Sequence, residues 1–215
     1  MDLDSLPPIT AIWGGLAVGA ALLEYTYTIT SFQLFYTPSL VFHKLEVWRL
    51  LTTFVYFGNF SIDFLFHLFF FMRYSRMLEE DAAGTRSRGG RATYVYMLLV
   101  CATLLVLLSP IVGLPFLGSP LAFVLVYVWS RRNRHVRLGL FGILVITAPY
   151  LPWSLAAFGW LINGDIKAVI GDLVGIAVGH FYYFFVDVWP REYKSGGRNH
   201  LRTPEILVRL IDGDR

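Results

Sequence analysis

Residues 168–189 read Ala-Val-Ile-Gly-Asp-Leu-Val-Gly-Ile-Ala-Val-Gly-His-Phe-Tyr-Tyr-Phe-Phe-Val-Asp-Val-Trp, an apolar run long enough to cross bilayer hydrocarbon as one α-helix. Gly171, Gly175 and Gly179 recur every four residues, so they share a face on which a neighbouring helix can approach backbone to backbone. The same spacing occurs in many unrelated membrane proteins as plain helix packing. Asp172, His180 and Asp187 interrupt the run, and charged groups at bilayer depth turn toward protein or water rather than lipid.

The rest of the chain has the same character. Of its 215 residues, 56% are hydrophobic and only 15% charged, with a mean hydropathy of +0.57, which points to the bilayer as solvent. Further apolar stretches lie at about 9–27, 62–77, 94–112, 114–130 and 140–162. With 168–189 they predict an all-α polytopic membrane protein in which residues 1–190 form one six-span domain. Residues 191–215 are then a cytosolic tail. The turn-rich 195–200 segment is a linker within it, and Thr203-Pro204-Glu205 starts a short amphipathic helix.

Charge sets the expected orientation. With both termini inside, every Lys and Arg except Lys44, Arg49 and Lys167 falls on the cytosolic side, including the basic stretches 85–91 and 131–137. The net charge of +3 is therefore read as a topology signal and not as a nucleic-acid surface. The acidic, Pro-containing start is the wrong charge and shape for a cleavable signal peptide. Cys101 is the lone cysteine, so intrachain disulfides and thiolate metal clusters are ruled out, and neither a metal nor a cofactor is expected.

Two segments depart from simple spans. Residues 31–58 are aromatic and apolar but are broken by Pro38, His43, Lys44, Glu46 and Arg49, which suits the membrane interface. Trp48-Arg49 is expected to open the second span from its outer side, as a shaped lumenal loop or as an ordinary aromatic-belt anchor. The second span has an uninterrupted apolar run only between Asp63 and Arg73, and Pro149 and Pro152 break the fifth, so the surrounding bilayer is predicted to thin. Asp63, His67, Asp172 and His180 are candidates for lining one wet lateral cavity.

The order of Pro7-Pro8-Ile9-Thr10, Val47-Trp48-Arg49-Leu50-Leu51-Thr52, the 73–79 segment Arg-Tyr-Ser-Arg-Met-Leu-Glu, Tyr150-Leu151-Pro152-Trp153, Gly171-Asp172-Leu173-Val174-Gly175, Gly179-His180 and Gly197-Arg198-Asn199 resembles the Derlins, over residues 7 to 205. That resemblance implies a rhomboid-like six-helix core that acts as a pseudoprotease. The active rhomboid pattern has a Gly-x-Ser-Gly serine and a histidine before a Gly-xxx-Gly. Here Leu117-Gly118-Ser119-Pro120 departs from the first and Asp172 stands in place of the second. Asp63 and His67 align with the pair that supports the oxyanion in the active enzymes, and an acceptor-only Asp would repel a developing oxyanion. No catalytic residue is expected. Ser119 and His180 should lie about 12 Å apart in depth, at 1.5 Å of rise per residue.

The resemblance also implies a place in the endoplasmic reticulum membrane, in protein quality control, endoplasmic-reticulum-associated degradation and the unfolded protein response. The implied work is retrotranslocation of misfolded proteins to the cytosol. Implied partners are those misfolded clients, a membrane RING ubiquitin ligase complex and the lipid bilayer. An AAA ATPase is expected only indirectly, because the 215 residues hold no Gly-rich docking tail. Alternatives are a small polytopic transporter built on Asp63, Asp172 and the broken helix at Pro149 and Pro152, or an active intramembrane serine protease.

Overall fold

The computed structural model describes residues 6–84, 90–140, 144–164, 166–192 and 201–213. The Gly197-Arg198-Asn199 motif, the 195–200 linker and the cations Arg86, Arg88, Lys194, Arg198 and Arg215 lie outside the described residues. Helix α1 runs Pro8–Tyr25, followed by three short helices, α2 (Ser31–Leu34), α3 (Pro38–His43) and α4 (Arg49–Val55). Then come α5 (Ile62–Ala83), α6 (Gly90–Val112) and α7 (Gly118–Arg132). A hairpin of β1 (Arg137–Leu140) and β2 (Leu144–Thr147) leads to α8 (Leu151–Asn163) and α9 (Ile166–Tyr183). Phe184–Val188 widens into a π-helix and α10 (Trp189–Glu192) continues α9, so Ile166–Arg191 is one helical rod. Helix α11 (Glu205–Asp212) comes last. Among the described residues, Pro8–Tyr25, Gly90–Val112 and Ile166–Arg191 are long and apolar enough to cross a membrane.

The bundle is arranged around α7. Every residue from Pro120 to Ser130 is buried, because α4, α5, α6, α8 and α9 all pack on this one helix. Its 15 residues span about 22 Å, short of the roughly 30 Å of hydrocarbon, yet protein and not lipid surrounds it. The closest neighbour is α9. A methyl group at Gly175 would overlap the Pro120 carbonyl, and one at Gly179 would meet Tyr127 Cβ at 3.1 Å and the Val124 carbonyl at 3.2 Å. Gly171 is less demanding, since a methyl there would touch Leu114 and Pro120 at an ordinary 3.5 Å.

At one end of the bundle α1 is held by a carboxylate. Pro8 presets the first helical turn and removes one orphan donor. The remaining N–H groups of Ile9 and Thr10 donate to Glu79 of α5 at 3.0 and 2.8 Å, and the Thr10 hydroxyl donates to it at 2.8 Å. Ser75 and Tyr94 extend this chain by hydroxyl bonds of 2.6 Å each. Glu79 is wholly buried, and the partially positive start of α1 stabilises its charge. Below this clamp Gly14, Ala17 and Ala21 form the buried small-residue stripe that packs α1 on α5.

Two expectations are corrected. Residues 140–162 are not one helix. Arg137 pairs with Thr147, Leu138 with Ile146 and Gly139 with Val145 in an antiparallel hairpin, and α8 proper has 13 residues. The β-branched run Val145-Ile146-Thr147 favours a strand, while Pro149 and Pro152 lack the N–H donors that a helix interior needs and so sit at the helix entrance. Trp48-Arg49 likewise does not open the second span. It opens α4, and residues 56–61, with Gly58 at φ +107°, separate α4 from the Ser61 N-cap of α5.

Two positions test this architecture by thermal unfolding in detergent. Gly175→Leu forces α9 off the Pro120 carbonyl and should lower stability by about 3 kcal/mol, whereas Gly171→Ala should stay within about 1 kcal/mol of wild type. Glu79→Gln keeps the shape but replaces the charge at the α1 N-terminus, and should cost about 2 kcal/mol. If Glu79→Gln were as stable as wild type, the clamp would contribute only packing.

Candidate functional site

Four helices line a narrow cleft whose cavity volume is about 20 Å³, space for about one water molecule. Phe66 and Phe70 of α5, Phe123 and Val126 of α7 and Leu155 of α8 make apolar walls, and His67 of α5 and Asp172 of α9 are its ionisable side chains. The rings of Phe66 and Phe158 stack at 5.3 Å between centroids, which joins α5 to α8 across the cleft. Gly159 of α8 leaves room for the carboxylate, since a methyl there would stand 4.0 Å from Asp172 Oδ2.

Ser119 at the start of α7 donates to Asp172 Oδ1 at 2.8 Å. His67 turns Nδ1 to the Asp63 backbone carbonyl at 3.0 Å, with Asp63 Oδ1 at 3.4 Å. A ring nitrogen that faces a carbonyl must carry a hydrogen, so Nδ1 is the donor and Nε2 is the acceptor whenever the ring is neutral. Chemically, the cleft offers a carboxylate and an imidazole within an aromatic wall. Both groups can accept hydrogen bonds.

His180 is elsewhere. Two turns along α9 from Asp172, it is exposed, and its Nδ1 bonds the Tyr127 hydroxyl at 2.6 Å. Arg131 donates to the same hydroxyl oxygen at 2.9 Å and lies over the Tyr127 ring. Of the four residues expected to share a cavity, the structure places His67 and Asp172 in the cleft lining, Asp63 beside His67, and His180 away from them. The 3.6-residue repeat of α9 directs Asp172 toward α8 and His180 toward Tyr127 of α7. Asp187 is also accounted for, as its carboxylate accepts from Arg132 at 2.9 and 3.1 Å.

Trp48 and Arg49 do different work. Arg49 is 7% exposed, and its Nη1 donates to the carbonyls of Phe32 at 2.8 Å and Phe35 at 3.0 Å while Nε pairs with Glu46. The guanidinium also lies over the Phe35 ring, so one side chain fastens α2 and the Glu46 turn to α4. Trp48 is 56% exposed, as an interfacial anchor requires. At the opposite edge of this layer the Tyr56 hydroxyl bonds Glu24 at 2.7 Å, tying it to the far end of α1.

Thr10, Ser75 and Glu79 lie within the sequence motifs with no task evident there, and Tyr94 lies in none of them. The signal was present in part: a carboxylate and a hydroxyl four residues apart, Ser75 and Glu79, share one helix face. Nothing local shows that their partner is the start of a helix nearly seventy residues earlier.

A family model described as the Der1-like family matches residues 6–205. The chain is 39% identical over 197 residues to "Derlin-2.1" of Zea mays, an alignment that covers 86% of this chain and 75% of that one. The same identity and coverage hold for "Derlin-2" of Oryza sativa subsp. japonica. A "Probable derlin-2 homolog" of Dictyostelium discoideum is 34% identical over 216 residues, covering 97% of this chain and 81% of its own. With a family match over nearly its whole length and relatives this similar, the chain belongs to the Der1-like family, among the Derlins.

Proposed function

We propose that this protein is a non-catalytic, rhomboid-like six-span component of endoplasmic-reticulum-associated degradation, which eases misfolded polypeptides out of the endoplasmic reticulum toward the cytosol. The observation that carries this reading is the Asp172–His67 cleft between α5 and α8. An unsatisfied backbone group costs several kcal/mol in intact hydrocarbon, and a lateral cleft that holds a carboxylate, an imidazole and space for about one water offers such groups partners as a chain slides along it.

The short helices act beside the cleft. At 13 residues α8 is about 20 Å long, and unlike α7 it exposes apolar side chains such as Trp160 and Leu161. Lipid against that face must thin to match it, so the thinnest hydrocarbon adjoins the α8 wall of the cleft. Arg49 then holds the lumenal layer over the bundle, while Gly175 and Gly179 hold α9 against α7.

The geometry around Ser119 supports the absence of peptide hydrolysis. A serine becomes a nucleophile when a neighbouring base takes its proton, and imidazole is the usual base. Here the Ser119 hydroxyl donates to the Asp172 carboxylate and meets no imidazole. His67 is engaged through Nδ1 with its own helix, and His180 with Tyr127. The orientation rests on charge: Arg73, Arg76, Arg91, Arg131, Arg132 and Arg134 lie toward the end at which Glu79 holds α1 and Asp212 meets α6, which suits a cytosolic face. Misfolded clients, a membrane RING ubiquitin ligase complex and an indirectly recruited AAA ATPase are the partners this role calls for.

A degradation chase of a misfolded lumenal glycoprotein, in cells depleted of their own Derlins, tests the reading. Wild type and Ser119→Ala should restore turnover. Gly159→Trp, which fills the cleft, and Arg49→Ala, which releases the lumenal layer, should lengthen the client half-life several-fold at equal expression. Gly159→Ala should behave as wild type. Loss of turnover in Ser119→Ala alone, with a client fragment made only by wild type, would replace this reading with proteolysis.

A further inference from the structure

Helix α11 is the tail element that packs on the bundle, and only its first residue, Glu205, falls within the segment that matches the family. It packs on α6, and its half-buried apolar residues are Leu207 and Val208. Its last residue locks it there: the Asp212 carboxylate accepts from the backbone N–H of Arg91 at 3.1 Å and of Ala92 at 3.3 Å, satisfying donors of the first turn of α6 and placing a negative charge on the positive end of that helix. The approach is close enough that a methyl group on Gly90, which sits at φ +50°, would collide with the carboxylate. Thr203 adds a 3.4 Å hydroxyl contact to Thr93.

This lock sets the height of α11. Helix α6 has 23 residues, about 34 Å, and little of it is buried, so most of its surface is left for lipid and its first turn stands where hydrocarbon gives way to headgroups. Fixed to that turn, α11 still exposes Ile206 at 75% and Leu210 at 76%, one turn apart on a single edge. Glu205 and Arg209 occupy the adjacent polar face, and Arg91, Arg202 and Arg209 are exposed around it. An isolated eight-residue helix is marginal in water, so α11 needs its contacts to persist.

We propose that α11 is an in-plane membrane anchor, with Ile206 and Leu210 seated in the headgroup boundary of the leaflet at the α6 N-terminus and Asp212 setting its depth. The occupant of the exposed edge is lipid, because the edge continues the lipid-facing surface of α6, and the three arginines suit anionic headgroups. This inference requires α6 to cross the membrane but does not depend on what the cleft carries.

The test uses the full chain in vesicles of equal parts phosphatidylcholine and phosphatidylserine, with a nitroxide label on Ile206→Cys, Leu210→Cys or Glu205→Cys; the native Cys101 is fully buried. Labels at 206 and 210 should collide with dissolved dioxygen several-fold more, relative to a water-soluble nickel chelate, than the label at 205. Adding Asp212→Ala should bring the 210 ratio down toward that of 205 and sharpen its spectrum. Equal ratios at all three positions would overturn the lipid assignment and leave the edge open to a protein partner. An unchanged 210 ratio in Asp212→Ala would overturn the role of Asp212.

Discussion

A helix of 15 residues is too short to cross hydrocarbon, and α7 avoids the problem by being walled in with protein along its length. The wall is possible because α9 presents glycine where α7 presents backbone. Gly175 against the Pro120 carbonyl and Gly179 against Val124 and Tyr127 bring the two axes close enough for van der Waals packing, the attraction available between helices in a membrane. This approach also determines the chemistry. With α9 on α7, Asp172 comes within 2.8 Å of Ser119, and the remaining space around the carboxylate opens toward α8 and α5.

Carboxylates and helix starts recur as partners. Glu79 closes the first turn of α1 and Asp212 that of α6, each supplying acceptors to N–H groups that have none inside their own helix. In a protein with membrane-spanning helices, such caps remove the need for water at the helix ends. Arg49 solves the inverse problem on the other face, bringing donors to the orphan carbonyls of Phe32 and Phe35. Glu79, Asp212 and Arg49 thus share one task, the completion of backbone hydrogen bonding at helix ends.

What was legible in the sequence was whatever repeats along one helix. The glycine period of 171–179 and the apolar runs of α1, α6 and α9 could be read directly, because each depends on spacing within a single element. Apolarity alone misled at 140–162, where a hairpin and a short helix are as hydrophobic as a span; the β-branched run at 145–147 and the two prolines carried the information that hydropathy averaged away. Adjacency misled at Trp48-Arg49, which opens the separate short helix α4, and at His180, which shares an element with Asp172 but not a face. Contacts between distant elements, such as Glu79 on α1, left only residue types that fit many roles.

The Glu79 clamp also orders the protein's own birth. Its acceptor lies 69 residues after Thr10, and the hydroxyl chain ends on Tyr94, so α1 leaves the ribosome before the groups that close its first turn in the folded protein have been made. Until α5 arrives, that turn must remain in water or on a chaperone, and α1 stays free to shift in the membrane. The first segment made is therefore among the last to settle, and its docking reports that two later helices have been inserted in register.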